Sequence, residues 1–374
     1  MSRGAVGALA LVAAIGALII ASLPTAATSV AAWSEFADLA SPRSFAQAVA
    51  LPSGEILVMG GLDPKDPDVT NERVELIDPL AKGVTVLPQK VLGRLHQSAT
   101  VVGDRVIVAG GVEWVGDHWG PLDRVEVYDT VTRQWLAAAG MRFARSDHAA
   151  VALRDGRVIV IGGNFDTKLL NTVEIYDPAT NAWRVAKPMP RARTQHTAML
   201  LRDGRVIVMG GIDSDGGATD TTFIYDPVAD RWSDGPHLTT PRLQQATVAL
   251  PNGDILLVGG NGAAAKTSEL YSAREGRFIA SGTLLEPRYV AQVAALPDGR
   301  VVVSGGLPPV MSAYRPLMAS EIWDPVSGTW RALAPLSEGR AWGTLVRVGH
   351  SLYLVSGNGS DEAAFRSVER LPID

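Results

Sequence analysis

The sequence predicts an all-β fold: a seven-bladed β-propeller of four-stranded blades, closed by pairing an N-terminal strand with the C-terminal blade. Three observations carry this. A glycine signature recurs seven times at near-constant spacing. Each unit holds the same order of apolar run, turn, aromatic residue and arginine. One piece missing from the end of the array stands at its front.

The glycine signature is read first, because a period of this length sets the architecture. Gly-Gly pairs stand at Gly60-Gly61, Gly110-Gly111, Gly162-Gly163, Gly210-Gly211, Gly259-Gly260 and Gly305-Gly306, and Gly357-Asn358 is taken as a seventh, variant pair. Successive spacings are 50, 52, 48, 49, 46 and 52 residues. Each Gly-Gly pair ends an apolar run, as in EILVMGG, RVIVAGG, RVVVSGG and their relatives. Such β-branched runs, with turn residues before them and glycines after, are strands.

The second landmark is a bulky residue before Asp-Pro or a relative: Ile77-Asp78-Pro79, Tyr128-Asp129, Tyr176-Asp177-Pro178, Tyr225-Asp226-Pro227, Tyr271-Ser272 and Trp323-Asp324-Pro325. Six residues after the Asp position come Val84, Trp135, Trp183, Trp232, Phe278 and Trp330, and ten further come Arg94, Arg145, Arg193, Arg242, Arg288 and Arg340. One unit is therefore strand a, a turn, strand b ending in the glycines, a variable loop, strand c, an Asp-Pro turn and strand d with its Trp. Four antiparallel strands in such a period make one propeller blade. The combination of Gly-Gly, Tyr-Asp-Pro, Trp and Arg resembles the kelch repeat, and it covers nearly everything after residue 32.

Closure follows from phase. The last unit stops after SVERLPID, which supplies strand c and no strand d. Trp33 lies ten residues before Arg43, as Trp183 lies ten before Arg193. The segment around Trp33 is therefore expected to be strand d of the seventh blade, which removes two free sheet edges. Residues 33–374 form the propeller on this reading.

Residues 1–32 differ from the rest. Arg3 precedes an apolar run from Ala5 to Leu23, and small residues follow up to Ala32. This is the pattern of a secretory signal peptide. The other reading is an uncleaved anchor, since nineteen helical residues span about 28 Å, close to the hydrocarbon thickness. Either way the propeller is expected outside the cytoplasm, secreted, periplasmic or tethered through Ala5 to Leu23.

Composition narrows the function. The net charge is −5 with no Lys/Arg-rich run, so nucleic acid is not an expected partner. Cysteine is absent, which removes disulfides, thiolate metal sites and thiol nucleophiles. No phosphate-binding glycine loop and no nucleophile elbow is present.

Strand direction puts the b–c loops and the d–a junctions on one face and the short a–b and c–d turns on the other. Variable loops on a constant scaffold are how repeat proteins present binding sites. Residues 112–124 carry Trp114, His118 and Trp119, and residues 307–319 carry Met311, Tyr314 and Arg315. Asp63, Asp66 and Asp68 lie in another such loop. Trp, Tyr and Arg are the residues that anchor interfaces; the alternative is that Trp114 and Trp119 fold back over a blade edge. Counting 14 residues back from each glycine pair gives Ala46, His96, His148, His196, Gln245, Ala291 and Gly343. Three adjacent blades thus place His at one height, either as metal ligands or as scaffold, and the scaffold reading is preferred, so no metal is assigned. Asp147, Gln195, Gln244, Tyr289 and Trp342 are expected to join these histidines in lining a central funnel.

The kelch resemblance raises catalytic options. Copper radical oxidases of the galactose oxidase type need a Cys cross-linked to Tyr, which this chain lacks. Iron-dependent specifier proteins use Glu-x3-Asp-x3-His; Glu113 and Asp117 match its first part, but Pro121 takes the His place. A sugar mutarotase acting on sialic acid stays open as an alternative, without a mapped motif. The loop with Asp213, Asp215 and Asp220 lacks the bidentate Glu of a calcium loop. The expected function is a non-catalytic binding propeller without a cofactor, engaging a protein or glycan through its loop face. A structural subunit of an envelope complex is the remaining alternative.

Overall fold

Aliphatic runs between turn residues become strands, and the computed structural model gathers them into seven four-stranded antiparallel sheets. It describes residues 32–63, 66–309, 314–360 and 363–373, with only the backbone of residues 63 and 66–69. The predicted leader or anchor at residues 1–31, Met311 and the side chains of Asp63, Asp66 and Asp68 lie outside what is described. No helix among the described residues is long and apolar enough to cross a membrane.

Blade 3 shows the plan. Strands a (Ala149–Ala152), b (Val158–Ile161), c (Val173–Asp177) and d (Ala182–Ala186) follow one another across the sheet. Strand b is buried along its whole length, as is its counterpart in blade 1, Ile56–Met59. That burial is why these runs are continuously apolar: both faces of each sheet are covered by neighbouring blades. Seven apolar clusters result, one at each seam between blades, such as Ile159, Ile161 and Val173 of blade 3 against Val206, Val208 and Tyr225 of blade 4. Strand a of each blade touches strand a of the next, and Thr344–Val348 of blade 7 touches Gln47–Ala50 of blade 1, so the ring is closed.

The closure is as expected. Ser34–Asp38 pairs antiparallel with Ser367–Pro372, with Ser34 opposite Arg370. Trp33 is buried between blades 6 and 7 and its Nε1 donates to Ser320 Oγ at 3.0 Å. The aromatic landmarks pair across strands c and d: Tyr176 lies opposite Trp183 with ring centroids 5.0 Å apart. Asp78, Asp129, Asp226 and Asp324 each accept from backbone N–H groups two and three residues on, Asp226 from Val228 and Ala229 at 3.0 and 2.9 Å. Those bonds favour the carboxylate and hold Asp226 below its ordinary pKa.

The arginine is the centre of each blade's polar core. Arg145 is fully buried; its Nη1 donates to the Gly162 and Thr172 carbonyls at 2.8 and 3.0 Å, and its Nη2 to Glu174 at 2.8 Å. Glu75, Glu126, Glu269, Glu321 and Glu369 pair in the same way with Arg43, Arg94, Arg242, Arg288 and Arg340. The carboxylates also accept from the backbone of the d–a junction, as Glu174 does from Arg142 and Phe143. A buried ion pair is tolerated when its remaining polar atoms are satisfied in this manner. Blade 4 departs from the rule: Phe223 stands in the Glu place, and the Arg193 guanidinium lies over its ring, 4.8 Å from the centroid.

The second glycine of each pair explains why glycine is needed. Its N–H donates to the carbonyl of the next blade's arginine, Gly163 to Arg193 at 2.9 Å, and a Cβ on Gly163 would clash with the Ser146 carbonyl. The bond that closes this ring runs from Gly357 to Arg43. Gly357 is therefore the second member of its pair and Ser356 the first, at φ 56°. The seventh pair is Ser356-Gly357, one residue earlier than the sequence spacing indicated.

Candidate functional site

Two residues after every buried arginine the backbone turns left-handed. The seven residues are Phe45, His96, Asp147, Gln195, Gln244, Val290 and Trp342, with φ between 46° and 58°. Such a conformation is uncommon for a side chain other than glycine, and for a β-branched residue such as Val290 it is an outlier. The surroundings enforce it. The preceding residue is bridged to the start of the b–c loop, as in Ser44 with Leu62 and Ser146 with Asn164. Backbone bonds then run around the mouth: Asp147 N to His96 O, Gln195 N to Asp147 O, Gln244 N to Gln195 O, and Val290 N to Gln244 O, at 3.1 to 3.4 Å. These bridges put the d–a junctions and b–c loops on one face, as strand direction required.

The seven residues form the rim of a funnel of about 420 Å³ on the propeller axis. Its rim has two chemistries. Trp342, Phe45 and His96 make an aromatic arc, with Phe45 4.9 Å from Trp342 and 5.2 Å from His96 between ring centroids. Asp147, Gln195 and Gln244 continue it as a polar arc. The two meet where His96 Nδ1 contacts Asp147 Oδ1 at 2.9 Å. Burial opposes charge on both partners, but their mutual hydrogen bond and attraction outweigh it. His96 is held above its ordinary pKa and Asp147 below its own.

Below the rim lies an inner row at the residue just before strand a: Ala46, Gln97, His148, His196, Gln245, Ala291 and Gly343. The expected row of three histidines is corrected here. Gln97 stands just before the first pair of blade 2, Ser98 with Ala109, as His148 stands just before Ala149 with Ile161, whereas His96 belongs to the rim. The cause is a two-residue a–b turn, Gly103-Asp104, where most blades have five residues between the last paired positions. Counting back from the glycines therefore slips by one in blade 2. His148 Nε2 lies 2.9 Å from Ser98 Oγ, and burial holds both His148 and His196 down at about 3. Among the described residues no group of three or more His, Cys, Asp or Glu is placed to hold a metal ion.

The other predicted residues fall outside the funnel. Tyr289 bridges to Leu307, and Val290 takes the rim position in its place. Trp114 and Trp119 face each other across a hairpin of Val112–Val115 and His118–Pro121, edge to face at 5.2 Å, each half-buried. They neither enter a blade core nor stand fully open. His118 is exposed beside Asp117 at 3.1 Å. Tyr314 is half-buried and Arg315 exposed in the blade 6 loop. In the acidic loop Asp215 is taken by Arg191 at 2.8 Å and Asp220 by His237 at 3.2 Å. Phe45, Gln97, Val290 and Gln292 line the funnel without having been singled out in the sequence. Counting two residues on from each arginine would have found the rim.

A family model described as the KLHDC2/KLHL20/DRC7 Kelch-repeats domain matches residues 98–306, more than half of the chain. Kelch-like protein terF of Aspergillus terreus is 29% identical over 138 residues, 35% of this chain and 30% of that protein. Beta-scruin of Limulus polyphemus is 31% identical over 121 residues, 31% of this chain and 13% of its own length. The chain thus matches only about a third and an eighth of these two relatives. Among solved structures, one described as a novel fungal alcohol oxidase of the AA5 family in complex with copper superposes with a TM-score of 0.74 at 18% identity, covering 92% of this chain and 76% of that one. "Structure of YjhT" matches with a TM-score of 0.60 at 16% identity, covering 75% of this chain and 95% of that one. At these identities the likeness is one of fold.

Proposed function

The chain belongs to the kelch-repeat β-propeller family, and from that premise we propose that it is a non-catalytic binding propeller acting outside the cytoplasm, engaging a protein or glycan through its loop face. The observation that carries this is the rim. Seven positions share one backbone conformation and hold six different residue types around a funnel. Kelch propellers mediate protein interactions, and the half-buried Trp114–Trp119 pair adds an aromatic knob to the same face. The location rests on the basic start and the apolar run from Ala5 to Leu23.

Affinity capture from the native cell envelope tests the reading. The expected result is a partner lost on Trp114→Ala with Trp119→Ala, or on Trp342→Ala, in a chain that stays folded. A partner that holds to the opposite, short-turn face would sink it. Sequencing the N-terminus of the mature protein separates a free form, starting shortly before Trp33, from a tethered one.

A second reading, a carbohydrate-active enzyme such as a sugar mutarotase, has one observation in its favour. His96 and Asp147 form a hydrogen-bonded acid–base pair inside the funnel. It requires faster anomer equilibration by NMR that His96→Gln abolishes.

A further inference from the structure

We propose that the funnel accepts the basic side chain, lysine or arginine, of a protein partner, held by Asp147 and the Trp342–Phe45 arc, with the unpartnered acceptors of the inner row buried behind them; this rests on the reading of the loop face as a binding face. Three features of the funnel lead to it.

The first is charge. Among the described residues no Lys or Arg lines the funnel. Of the buried arginines two residues before the rim, six are paired with glutamates, and Arg193, whose charge reaches His196, lies over the Phe223 ring instead. Among the lining residues only Asp147 and three histidines can be charged, and burial keeps His148 and His196 neutral. The lining is therefore neutral when His96 is protonated and negative when it is not. Among the described lining residues the one group that gains positive charge, His96, is already paired with Asp147, so an anionic ligand finds no unpaired cation.

The second is an imbalance of hydrogen-bonding atoms. Gln245 Nε2 donates to the Met209 carbonyl at 3.0 Å and to Thr197 Oγ1 at 3.1 Å. Gln292 Nε2 donates to the Val290 carbonyl at 2.8 Å. A carbonyl only accepts, so both amides are fixed with Oε1 free, and neither Oε1 has a partner among the described residues. Ser98 Oγ donates to the Ala109 carbonyl at 3.5 Å and so accepts from His148 Nε2–H, which leaves His148 Nδ1 as a bare acceptor. Gln97, more than nine-tenths buried, has both Oε1 and Nε2 unpartnered. Four unpartnered acceptors thus stand against one unpartnered donor group, all of them buried, and together they leave the wall of the funnel rich in acceptor dipoles. His196, beside the Ile161 carbonyl, is left out of this balance. Unpaired buried acceptors favour a group that brings donors and no acceptor, which describes ammonium and guanidinium. A sugar hydroxyl brings one of each and leaves the imbalance in place.

The third is the arc. Trp342 and Phe45, tilted 41° to each other, present aromatic surface next to the His96–Asp147 pair. Aromatic faces attract a desolvated cation, and the carboxylate completes the pairing. The funnel volume falls within the range of about 300–1,000 Å³ usual for small-ligand sites.

The test is titration of the folded chain with N-acetyl-lysine methylamide and N-acetyl-arginine methylamide, followed by NMR of the His96 and Trp342 signals. The neutral isosteres, ε-acetylated lysine and citrulline, are run beside them, with glucosamine as a third arm. The expected result is a preference of about tenfold or more for the basic probes over their isosteres at pH 8. Asp147→Asn removes that preference. A cation competes with the His96 proton, so affinity falls as the solution is acidified through the His96 titration. The charged or titratable groups around His96 are Asp147, with His148 and Arg145 behind it. His96→Gln keeps the preference and removes its pH dependence, which gives a second readout should Asp147→Asn fail to fold. Equal binding of isosteres, or preference for glucosamine, overturns the proposal. A partner captured on the loop face with unchanged affinity for D147N overturns the funnel inference and leaves the binding-face reading standing.

Discussion

Two rings, two residues apart along the chain, have opposite characters. The inner one is Arg43, Arg94, Arg145, Arg193, Arg242, Arg288 and Arg340, one residue type in seven copies, all buried. The rim ring is Phe45, His96, Asp147, Gln195, Gln244, Val290 and Trp342, one backbone conformation carrying six residue types. The difference teaches where this propeller is free to vary. Each guanidinium binds the carbonyl of the first residue of its own blade's glycine pair, and six of the seven also pair with a strand c carboxylate, so the side-chain chemistry is fixed by its partners. Each rim residue owes its conformation to backbone bridges, so the residue type there is set by its neighbours on the rim and is free to suit a ligand.

Breaking the arginine ring should have the largest effect. Glu174→Ala leaves Arg145 buried without a counter-charge and is expected to cost about 3–5 kcal/mol, read from chemical denaturation. Glu174→Phe copies blade 4, where Phe223 faces Arg193, and should cost distinctly less. An equal loss in the two variants would show that the aromatic face does not substitute for the carboxylate. Trp33→Ala belongs to the same scale, about 3–5 kcal/mol for a buried Trp, because it empties the seam between blades 6 and 7 and weakens the closure. An unchanged melting temperature would contradict that.

The histidines sharpen the comparison through pH. His148 and His196 titrate at about 3 in the folded chain, below an unfolded value near 6.5. Their contribution is complete above about pH 6.5 and is lost as pH falls from there toward 3. His96 has the opposite sign. Its folded value is raised, so its contribution is complete below the unfolded value and is lost as pH rises through the folded one. Melting temperature followed against pH should show a shallower acid loss for His148→Gln with His196→Gln, and a flatter neutral-to-alkaline region for His96→Gln. A profile unaltered by both sets would separate these residues from the pH response.

The smallest effect is expected on the rim backbone. Val290 is β-branched at φ 46°, a conformation that costs L-residues roughly 1–2 kcal/mol. Val290→Gly should raise stability by about 1 kcal/mol, whereas glycine at an arginine position would abolish a blade's polar core. Destabilisation by Val290→Gly would mean that its side chain packs more than it strains.

Much of this was legible in the order of residues. Strand b runs are apolar because both sheet faces are covered, and that pattern is local. The Trp-to-Arg interval is equally local, because strand d and the junction have constant length, and it placed Trp33 in blade 7 correctly. The glycine-to-histidine interval was less secure, because it crosses the a–b turn. Two-residue turns at Gly103-Asp104 and Gly349-His350 change the strand parity. That slip moved His96 into the wrong row and Ser356 out of its pair.

The sequence by itself determined the number of blades, their closure and the face that carries the loops, since each depends on intervals that the backbone repeats. Only the tertiary structure decided which side chains meet. His96 with Asp147, Phe45 with Trp342, and Gly110 with His148 are contacts between different blades, far apart in the chain. Their geometry comes from the packing of one sheet on the next, which no interval within a blade records.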